Sequence, residues 1–395
     1  MPWKTVSALR QRVRLVLQCL RGLLPISRLA AQAGVSRPCA YKWLERFRKE
    51  GSAGLADRSS RPRKSPRRIS ALWRDRLRRL RGRRPTWGPK KLFALLRRVH
   101  PRGVVPSVRT IARYLKVWGL IGPAPARKGP WVSARAFTPA RQANDVWTLD
   151  FKGWFRTGGQ RVEPLTVRDL FSRFILGIFL LPNQSDQEVR RCLTRLFKRW
   201  GLPKVIRVDN GSPFGGKGAL GLSRLSVWWI SLGIAVEFSR PAHPEDNAAH
   251  EQMHRVYKRE VAAPPARTRA RQQKRSQAWV RDYNQQRPHE ALGQRPPADF
   301  FKKSPRRMPQ RIRAWVYPKG WEKRLARSGG RVRWKGRARF VGRAFAGQQI
   351  GFKKKRGGIY HLYFRDHLIG ALHEEDAVGI RPARLHRKRK SKPKA

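Results

Sequence analysis

Residues 206–211 read IRVDNG and residues 243–251 read HPEDNAAHE, and the stretch that they bound decides the fold of this 395-residue chain. The first segment is a short β-branched run that ends in an acid, an amide and a glycine, which predicts a strand followed by a turn. The second begins as a proline-containing loop and continues into a predicted helix that carries Glu251. Upstream, residues 146–151 read VWTLDF and predict a buried strand that carries Asp150.

One face of the predicted helix gathers an acid and three nitrogen donors, because their spacing follows the helical repeat. These residues are Glu251, His254, Arg255 and Lys258. Asp150, Asp209 and Glu251 are three isolated carboxylates, and converging carboxylate oxygens are the ligands that a hard divalent cation prefers.

The charge of the chain is strongly positive, with 91 Lys and Arg against 24 Asp and Glu and a formal net charge of +67. Such a charge repels itself unless a polyanion screens it, so nucleic acid is the expected partner. A surface made basic only for solubility is the alternative, but added acids serve solubility better. The 15 Trp and 17 Phe indicate folded domains rather than a disordered basic chain.

The cysteines and the apolar runs limit the compartment. Cys19, Cys39 and Cys192 are too few and too scattered for a disulfide framework or a zinc site, which favours a reducing cytosol. The longest uncharged apolar runs, residues 174–181 and 227–236, are shorter than the roughly 20 residues of a membrane span. No apolar leader opens the chain, so we expect a cytoplasmic protein.

Residues 1–56 are predicted to form a helix-turn-helix DNA-binding domain. A Gly-Val-Ser turn at residues 34–36 precedes a basic helix over residues 37–49, which would lie in the major groove. The candidate DNA contacts on this helix are Ser36, which would also cap it, and Arg37, Tyr41, Lys42 and Arg46. A plain helical hairpin is the alternative.

Two linkers frame a second helical domain. Residues 57–68 form a basic linker, residues 69–121 predict a second, winged-type helix-turn-helix domain, and residues 122–143 form a Pro-rich linker. Lys90 and Arg109 are the candidate DNA contacts of this domain.

Residues 144–300 predict an α/β core with a mixed five-stranded sheet, because three consecutive strands precede alternating helices and strands. The predicted strands are residues 147–155, 162–168, 173–181, 205–209 and 234–238. A basic linker (301–313), a small β-barrel (314–384) with short strands and Gly turns, and a basic tail (385–395) complete the multidomain chain.

The order of motifs resembles the retroviral-integrase-like DDE transposases of bacterial insertion sequences, most strongly over residues 144–300. The matching motifs are Asp150, Asp209-Asn210-Gly211, His243-Pro244 leading to Glu251, Tyr283-Asn284, and Arg287-Pro288-His289. The resemblance implies a ribonuclease H-like core fold in which Asp150, Asp209 and Glu251 are the catalytic, metal-binding triad. It also implies two Mg²⁺ ions, with Mn²⁺ as a substitute, that promote hydrolysis at the element ends and 3′-OH strand transfer into target DNA.

The resemblance assigns further roles. Arg255 and Lys258 would neutralise phosphates of the scissile strand, His254 would contact DNA or support the site, and Asn210 would support Asp209. The expected partners are element-end DNA, target DNA and at least one further copy of the chain. The expected location is the bacterial cytoplasm, in association with the nucleoid.

Several alternatives stay open at this point. Glu245 could replace Glu251 as the third acid, since residues 210–250 make a long interval, but only Glu251 shares a face with Arg255 and Lys258. Ala248 and Ala249 stand where relatives commonly have Gly, so the helix entry would be strained if it needs positive φ. Other functions are a catalytically inactive, domesticated transposase acting as a repressor, a nuclease of the same fold, and a DNA-packaging protein.

Overall fold

The computed structural model describes residues 7–59, 69–122, 137–240, 243–376 and 379–383. Most of the two predicted linkers and the whole basic tail therefore lie outside the described residues. The chain divides into two compact units, residues 1–70 and residues 71–395. No helix of the described part is long and apolar enough to span a membrane.

The first unit contains three helices, α1 (Ala8–Arg21), α2 (Ile26–Gln32) and α3 (Arg37–Glu50), followed by a 3₁₀ turn (Gly51–Leu55). Its helices pack around small apolar clusters that include Leu15, Leu29 and Trp43. The turn between α2 and α3 contains Gly34 at φ +66, a conformation that favours glycine. The predicted helical N-terminus is confirmed.

The second unit begins with α4 (Ala71–Arg83), α5 (Pro89–Val99) and α6 (Val108–Val117). Residues 71–122 are all described and contain no strand, so the helices are not followed by a β-wing within that stretch.

A mixed sheet forms the centre of the second unit. Its strands are β1 (Val146–Phe151), β2 (Phe155–Thr157), β3 (Gln160–Asp169), β4 (Ile175–Leu181), β5 (Val205–Val208) and β6 (Ala235–Phe238). The main order is β4-β3-β1-β5-β6, in which β3 is antiparallel to β1 and β4 while β5 continues parallel to β1 and β6. This is the expected mixed five-stranded, ribonuclease H-like core, with the short β2 added as a hairpin on β3.

The first predicted strand, residues 147–155, is shorter in the structure. It ends at Phe151, and Gly153 at φ +84 turns the chain before β2 begins. Gly is suited to this turn because it adopts positive φ without a steric penalty.

Helices cover this sheet as α7 (Asp186–Trp200), α8 (Arg224–Ser231), α9 (Ala248–Tyr257) and α10 (Arg269–Gln286). Ser185 caps α7, since its side chain accepts a hydrogen bond from Glu188 N at 3.4 Å. One apolar cluster joins α7 and α8 to the sheet through residues such as Phe197 and Trp229, and a second joins α9 and α10 to β4.

A π-helical turn (Lys258–Ala262) follows α9 and anchors it. Glu260 of this turn accepts hydrogen bonds from Arg287 Nη1 and from Trp279 Nε1. Glu260 also contacts Thr86, from the α4–α5 loop. The helices of residues 71–117 are therefore joined to the end of α9.

The C-terminal part contains β7 (Glu322–Leu325), β8 (Arg331–Trp334), β9 (Arg337–Phe340), β10 (Gln349–Lys354), β11 (Ile359–Phe364), β12 (His367–His373) and β13 (Arg381–Pro382). The predicted small β-barrel is not seen in the described residues: β13-β12-β11-β10-β7 form an open sheet, and β8-β9 form a separate hairpin. The hairpin packs on the sheet through side chains, with the Trp334 and Phe352 rings stacked 4.4 Å apart, rather than through backbone hydrogen bonds that would close a barrel.

Candidate active site

Asp150 and Asp209 lie at the carboxyl ends of two neighbouring strands in the middle of the central sheet. β1 and β5 are parallel neighbours in which Thr148 lies opposite Arg207, so Asp150 and Asp209, each two residues further on, continue the same register. Side chains alternate along strands, so residues two apart share a face. The charges interact accordingly: burial, then the Asp209 carboxylate, and more weakly Glu251, raise the pKa of Asp150 to about 7. Burial also raises the pKa of Asp209.

Glu251 lies on α9 and is exposed to solvent. Its charge acts on Asp150, which places it on the same side of the molecule as the two aspartates. Among the described residues, no three His, Cys, Asp or Glu side chains lie close enough together to hold a metal ion. The structure thus brings Asp150 and Asp209 together and leaves Glu251 exposed to solvent on α9.

The entry to α9 is well defined. Glu245, the alternative third acid, lies in a short 3₁₀ helix (Pro244–Asn247) before α9. Ala248 and Ala249 are helical and do not have positive φ, so the strain expected from Ala in place of Gly is not present. Asp246 is buried and accepts three hydrogen bonds from Arg240, at 2.8 to 3.1 Å, which fix the preceding loop.

A buried polar network supports Asp150 from within the protein. Thr166 lies opposite Asp150 on β3 and contacts it through its hydroxyl, 2.9 Å from the Asp150 carbonyl oxygen. The same hydroxyl lies 2.6 Å from His250 Nε2 and 2.7 Å from His254 Nε2. Thr148 Oγ1 lies 2.9 Å from His250 Nδ1.

One proton assignment satisfies all of these contacts. Thr166 donates to the carbonyl oxygen of Asp150 and accepts from both Nε2–H groups, while Thr148 donates to His250 Nδ1. Both rings are then neutral, in keeping with burial, which lowers the pKa of His254 to about 3 and that of His250 well below its usual value.

His254 is consequently part of the interior rather than of the DNA-facing surface. Its side chain is only 11% exposed, and its Nδ1 lies 3.8 Å from Asp150 Oδ2. Arg255 on α9 and Lys258, which directly follows α9, are by contrast exposed, as the helical spacing predicts. The shared face that we predicted therefore holds for Glu251, Arg255 and Lys258, whereas His254 turns inward.

Sequence reasoning missed several residues around the site. Asn247 Nδ2 lies 3.3 Å from Asp150 Oδ2, and Arg168 contacts the Ala249 carbonyl oxygen at the start of α9. Burial, and then the charge of Lys258, lower the pKa of Lys152, which follows β1. The only sequence signal for this network was a polar residue within each of two largely apolar strands, namely Thr148 on β1 and Thr166 on β3.

Asn210, the predicted supporting residue, connects two strand ends. Its side-chain amide donates to the carbonyl oxygen of Ser239, which follows β6. The turn that carries Asp209 is thereby tied to the neighbouring strand. Gly211 approaches the carboxylate closely, since a Cβ at this position would lie 3.2 Å from Asp209 Oδ2.

The candidate DNA contacts of the first unit lie on or before α3. Ser36 is the N-terminal flanking residue but makes no side-chain capping bond. Arg37, Tyr41 and Lys42 are exposed. Arg46 is partly buried, donates to the Ala56 carbonyl oxygen at 2.9 Å and lies over the Trp43 ring.

In the second helical domain, Arg109 is exposed on α6. Lys90 Nζ lies 2.6 Å from Glu290 Oε1, so this lysine faces an acid of the core. Arg84 also forms an ion pair with Asp282 of α10. Helix α5 is therefore held against the core.

Family models match the helical N-terminal part and the central core of this architecture. Two family models described as "Integrase core domain" match residues 140–244 and 232–297. A "Helix-turn-helix domain" model matches residues 11–63, and a "Homeodomain-like domain" model matches residues 39–115.

Two proteins of bacterial insertion elements are similar to the chain. The uncharacterized 31.7 kDa protein of insertion element IS407 from Burkholderia multivorans is 29% identical over 222 residues, covering 56% of this chain and 77% of that protein. The uncharacterized 39.2 kDa protein of IS476 from Xanthomonas euvesicatoria is 32% identical over 159 residues, covering 40% of this chain and 44% of that protein.

These matches support a bacterial insertion-sequence transposase of the integrase-like superfamily. Its integrase core and its insertion-element relatives support a transposase-type function, and its helix-turn-helix domains support DNA binding.

Solved structures that are similar to the chain include two retroviral core domains. The HTLV-2 integrase catalytic core domain in complex with magnesium is 12% identical, with a TM-score of 0.34, and the match covers 42% of this chain and 100% of that chain. The catalytic core domain of BIV integrase is 18% identical, with a TM-score of 0.32, and the match covers 40% of this chain and 93% of that chain.

The second integrase-core match includes the motif from Tyr283 to His289, and the structure gives this motif a packing role. Asn284 pairs with both backbone groups of Ile175 on β4, at 2.9 Å each. Arg287 pairs with Glu260 after α9, and the His289 ring packs against Tyr283 at 4.9 Å. The motif holds α9, α10 and β4 together, as expected for a structural role of His289.

Proposed function

We propose that this chain is a DNA transposase that hydrolyses phosphodiester bonds at element ends and transfers the resulting 3′ hydroxyls to target DNA. The observation that carries the proposal is the aligned pair of Asp150 and Asp209 on neighbouring parallel strands, close enough for one carboxylate to raise the pKa of the other. Glu251 on α9 completes the proposed triad.

The proposed triad fits magnesium, with manganese as a substitute. Its members are all carboxylates, and hard cations prefer oxygen ligands. Burial, and then the charge of Asp209, raise the pKa of Asp150 to about 7, and a bound cation would neutralise the charge of these carboxylates. Two such ions would supply Lewis-acid activation of the attacking hydroxyl and of the leaving oxygen. Asp150, Asp209 and Glu251 would hold them.

The remaining residues position the DNA and the acids. Arg255 and Lys258 are exposed on the helix that carries Glu251, where they would bind phosphates of the scissile strand. Asn247 donates to Asp150 Oδ2 and would fix its side chain, and the neutral His254 ring packs beside it. The exposed face of α3 would bind the element end, and joining two ends requires at least two copies of the chain.

A catalytically inactive DNA-binding repressor is the second candidate. It is favoured by the exposure of Glu251 and by the finding that no three potential ligands in the described ranges lie together. Such a protein would keep its helix-turn-helix domains and bind the same DNA without cutting it.

Nicking of DNA separates these two functions. The full chain is incubated with a plasmid that carries the natural sequences flanking its reading frame, with Mg²⁺ or with a chelator. We expect Mg²⁺-dependent nicks at the element ends, which Asp209→Asn abolishes and Asp299→Asn, in an exposed ion pair with Arg295, does not. Binding without nicking by the unmodified chain would establish the repressor.

Glu251→Gln and Glu245→Gln then test the third acid. We expect loss of nicking only in the first, because only Glu251 lies on α9 with Arg255 and one helical face with Lys258, which follows α9.

A further inference from the structure

Helix α4 carries a dense row of arginines that the proposed catalytic site does not use. Its 13 residues, ALWRDRLRRLRGR, contain six arginines and a single acid, Asp75. Three of these arginines, Arg76, Arg79 and Arg83, line one open groove between α4 and the end of α5. In the described part of the chain, none of the three has a carboxylate within ion-pair distance.

The groove combines an apolar floor with a cationic rim. Its volume is about 300 Å³, and Leu80, Leu95 and Val99 contribute the apolar part. Val99 is 61% exposed, so part of the apolar lining faces solvent. Deoxyribose is apolar in part and phosphate is anionic, so the lining matches the sugar-phosphate backbone of DNA.

One of the arginines is held in place by aromatic packing. The Arg76 guanidinium lies 5.2 Å from the centroid of the Trp73 ring. Trp73 in turn packs edge-on against His100, which also lines the groove, with centroids 5.4 Å apart. This support reduces the side-chain freedom that Arg76 loses when it binds a phosphate.

The three arginines share one face of α4, since residues at offsets 0, 3 and 7 align on a helix. They span a rise of about 10 Å, so all three can face one stretch of the DNA backbone. A first helix that crosses the backbone is a common arrangement in helix-turn-helix proteins.

Helix α5 is less available for this role. Lys90, our predicted contact on α5, faces Glu290, and Arg98 donates to the Gln285 carbonyl oxygen at 3.2 Å and contacts Gln286. These contacts hold α5 against the core and leave the α4 side of the groove open.

We propose that Arg76, Arg79 and Arg83 form a binding surface for the DNA backbone, so that the second helical domain contacts DNA through α4. The inference rests on the proposed function only in taking DNA as the ligand.

The salt dependence of DNA binding tests this surface. The full chain and its Arg76→Gln/Arg79→Gln/Arg83→Gln variant are titrated with a fluorescent duplex at several salt concentrations. Each phosphate contact contributes about 0.9 to the slope of log K against log salt, so the slope should become shallower by about 2.7. A control variant, Arg190→Gln/Arg195→Gln/Lys198→Gln, removes the same charge from the exposed side of α7 and should change the slope by less than about 0.9.

A charge-conserving variant separates binding from folding. Arg76→Lys/Arg79→Lys/Arg83→Lys should retain most of the slope, whereas its loss there as well would assign the three residues a structural role and overturn the proposal. Equal changes in the α4 and α7 variants would also overturn it, since they would reflect net charge alone. A third outcome is that the α4 variant keeps the slope of the unmodified chain but no longer binds a poly-glutamate peptide, which the unmodified chain does bind. The groove would then be a site for acidic peptides instead of DNA.

The outcome is independent of catalysis. If the unmodified chain binds DNA with the expected slope but never nicks it, the α4 surface stands and the transposase proposal fails. If nicking occurs and the α4 variant keeps the full salt slope of DNA binding, the transposase proposal stands and the α4 surface fails.

Discussion

The proximity of Asp150 and Asp209 predicts that the metal-free protein is destabilised by its own active site. Burial and the neighbouring carboxylates raise the pKa of Asp150 from 3.8 to about 7. Because the folded-state pKa is the higher one, ionisation of Asp150 opposes folding. This destabilisation is nearly absent below about pH 4, grows as the pH rises, and is complete above about pH 7.

The magnitude follows from the shift. Each pKa unit corresponds to about 1.4 kcal/mol, so ionisation of Asp150 costs at most about 4 kcal/mol of unfolding free energy at pH 8. At pH 5 the same cost is about 1.5 kcal/mol, because the folded-state carboxyl is then mostly protonated. Asp150→Asn removes the charge and keeps an oxygen that can accept from Asn247. Its stabilising effect should therefore be larger at pH 8 than at pH 5 by about 2.5 kcal/mol.

Urea unfolding followed by Trp fluorescence, with a chelator present, measures this difference. Asp75→Asn, at an exposed position on α4, is the control and should change the unfolding free energy by less than about 0.5 kcal/mol at both pH values. If the effect of Asp150→Asn is the same at pH 5 and pH 8, or is destabilising at pH 8, the carboxyl of Asp150 is not held in a buried site of negative charge.

Three further predictions concern the packing of the core and the DNA surface. Asn284→Ala should lower the unfolding free energy by about 3 kcal/mol in urea titrations, because both backbone groups of Ile175 lose their partner, while Asn284→Asp, which keeps one acceptor, should cost less. Arg287→Met should lower the unfolding free energy by about 3 to 5 kcal/mol, because it leaves the Glu260 carboxylate without its cation. Adding Glu260→Gln to this variant should restore part of the lost unfolding free energy. Lys42→Gln, on the exposed side of α3, should reduce the salt slope of DNA binding by about 0.9 in fluorescence titrations. An unchanged stability or slope would contradict the corresponding contact.

The sequence by itself determined the kind of elements and their order. Apolar periodicity gave the helices of the first 117 residues and the alternation of strands and helices around Asp209, because burial of one face leaves a periodic trace in the sequence. The spacing of Glu251, Arg255 and Lys258 gave their common exposure for the same reason. The helix entry at Ala248 could not be judged in this way, since it depends on backbone angles that Gly and Ala can both adopt.

The tertiary structure decided which side chains meet. His254 shares the spacing of its neighbours, yet it turns toward Thr166 because β3 places a hydroxyl opposite Asp150, and strand pairing is not encoded locally. The sequence also could not distinguish an open C-terminal sheet from a closed barrel, because short strands and Gly turns occur in both. Closing a barrel depends on hydrogen bonds between strands that are far apart in the sequence. The register of β1 and β5, which brings Asp150 beside Asp209 across 58 intervening residues (151–208), likewise exists only in the folded chain.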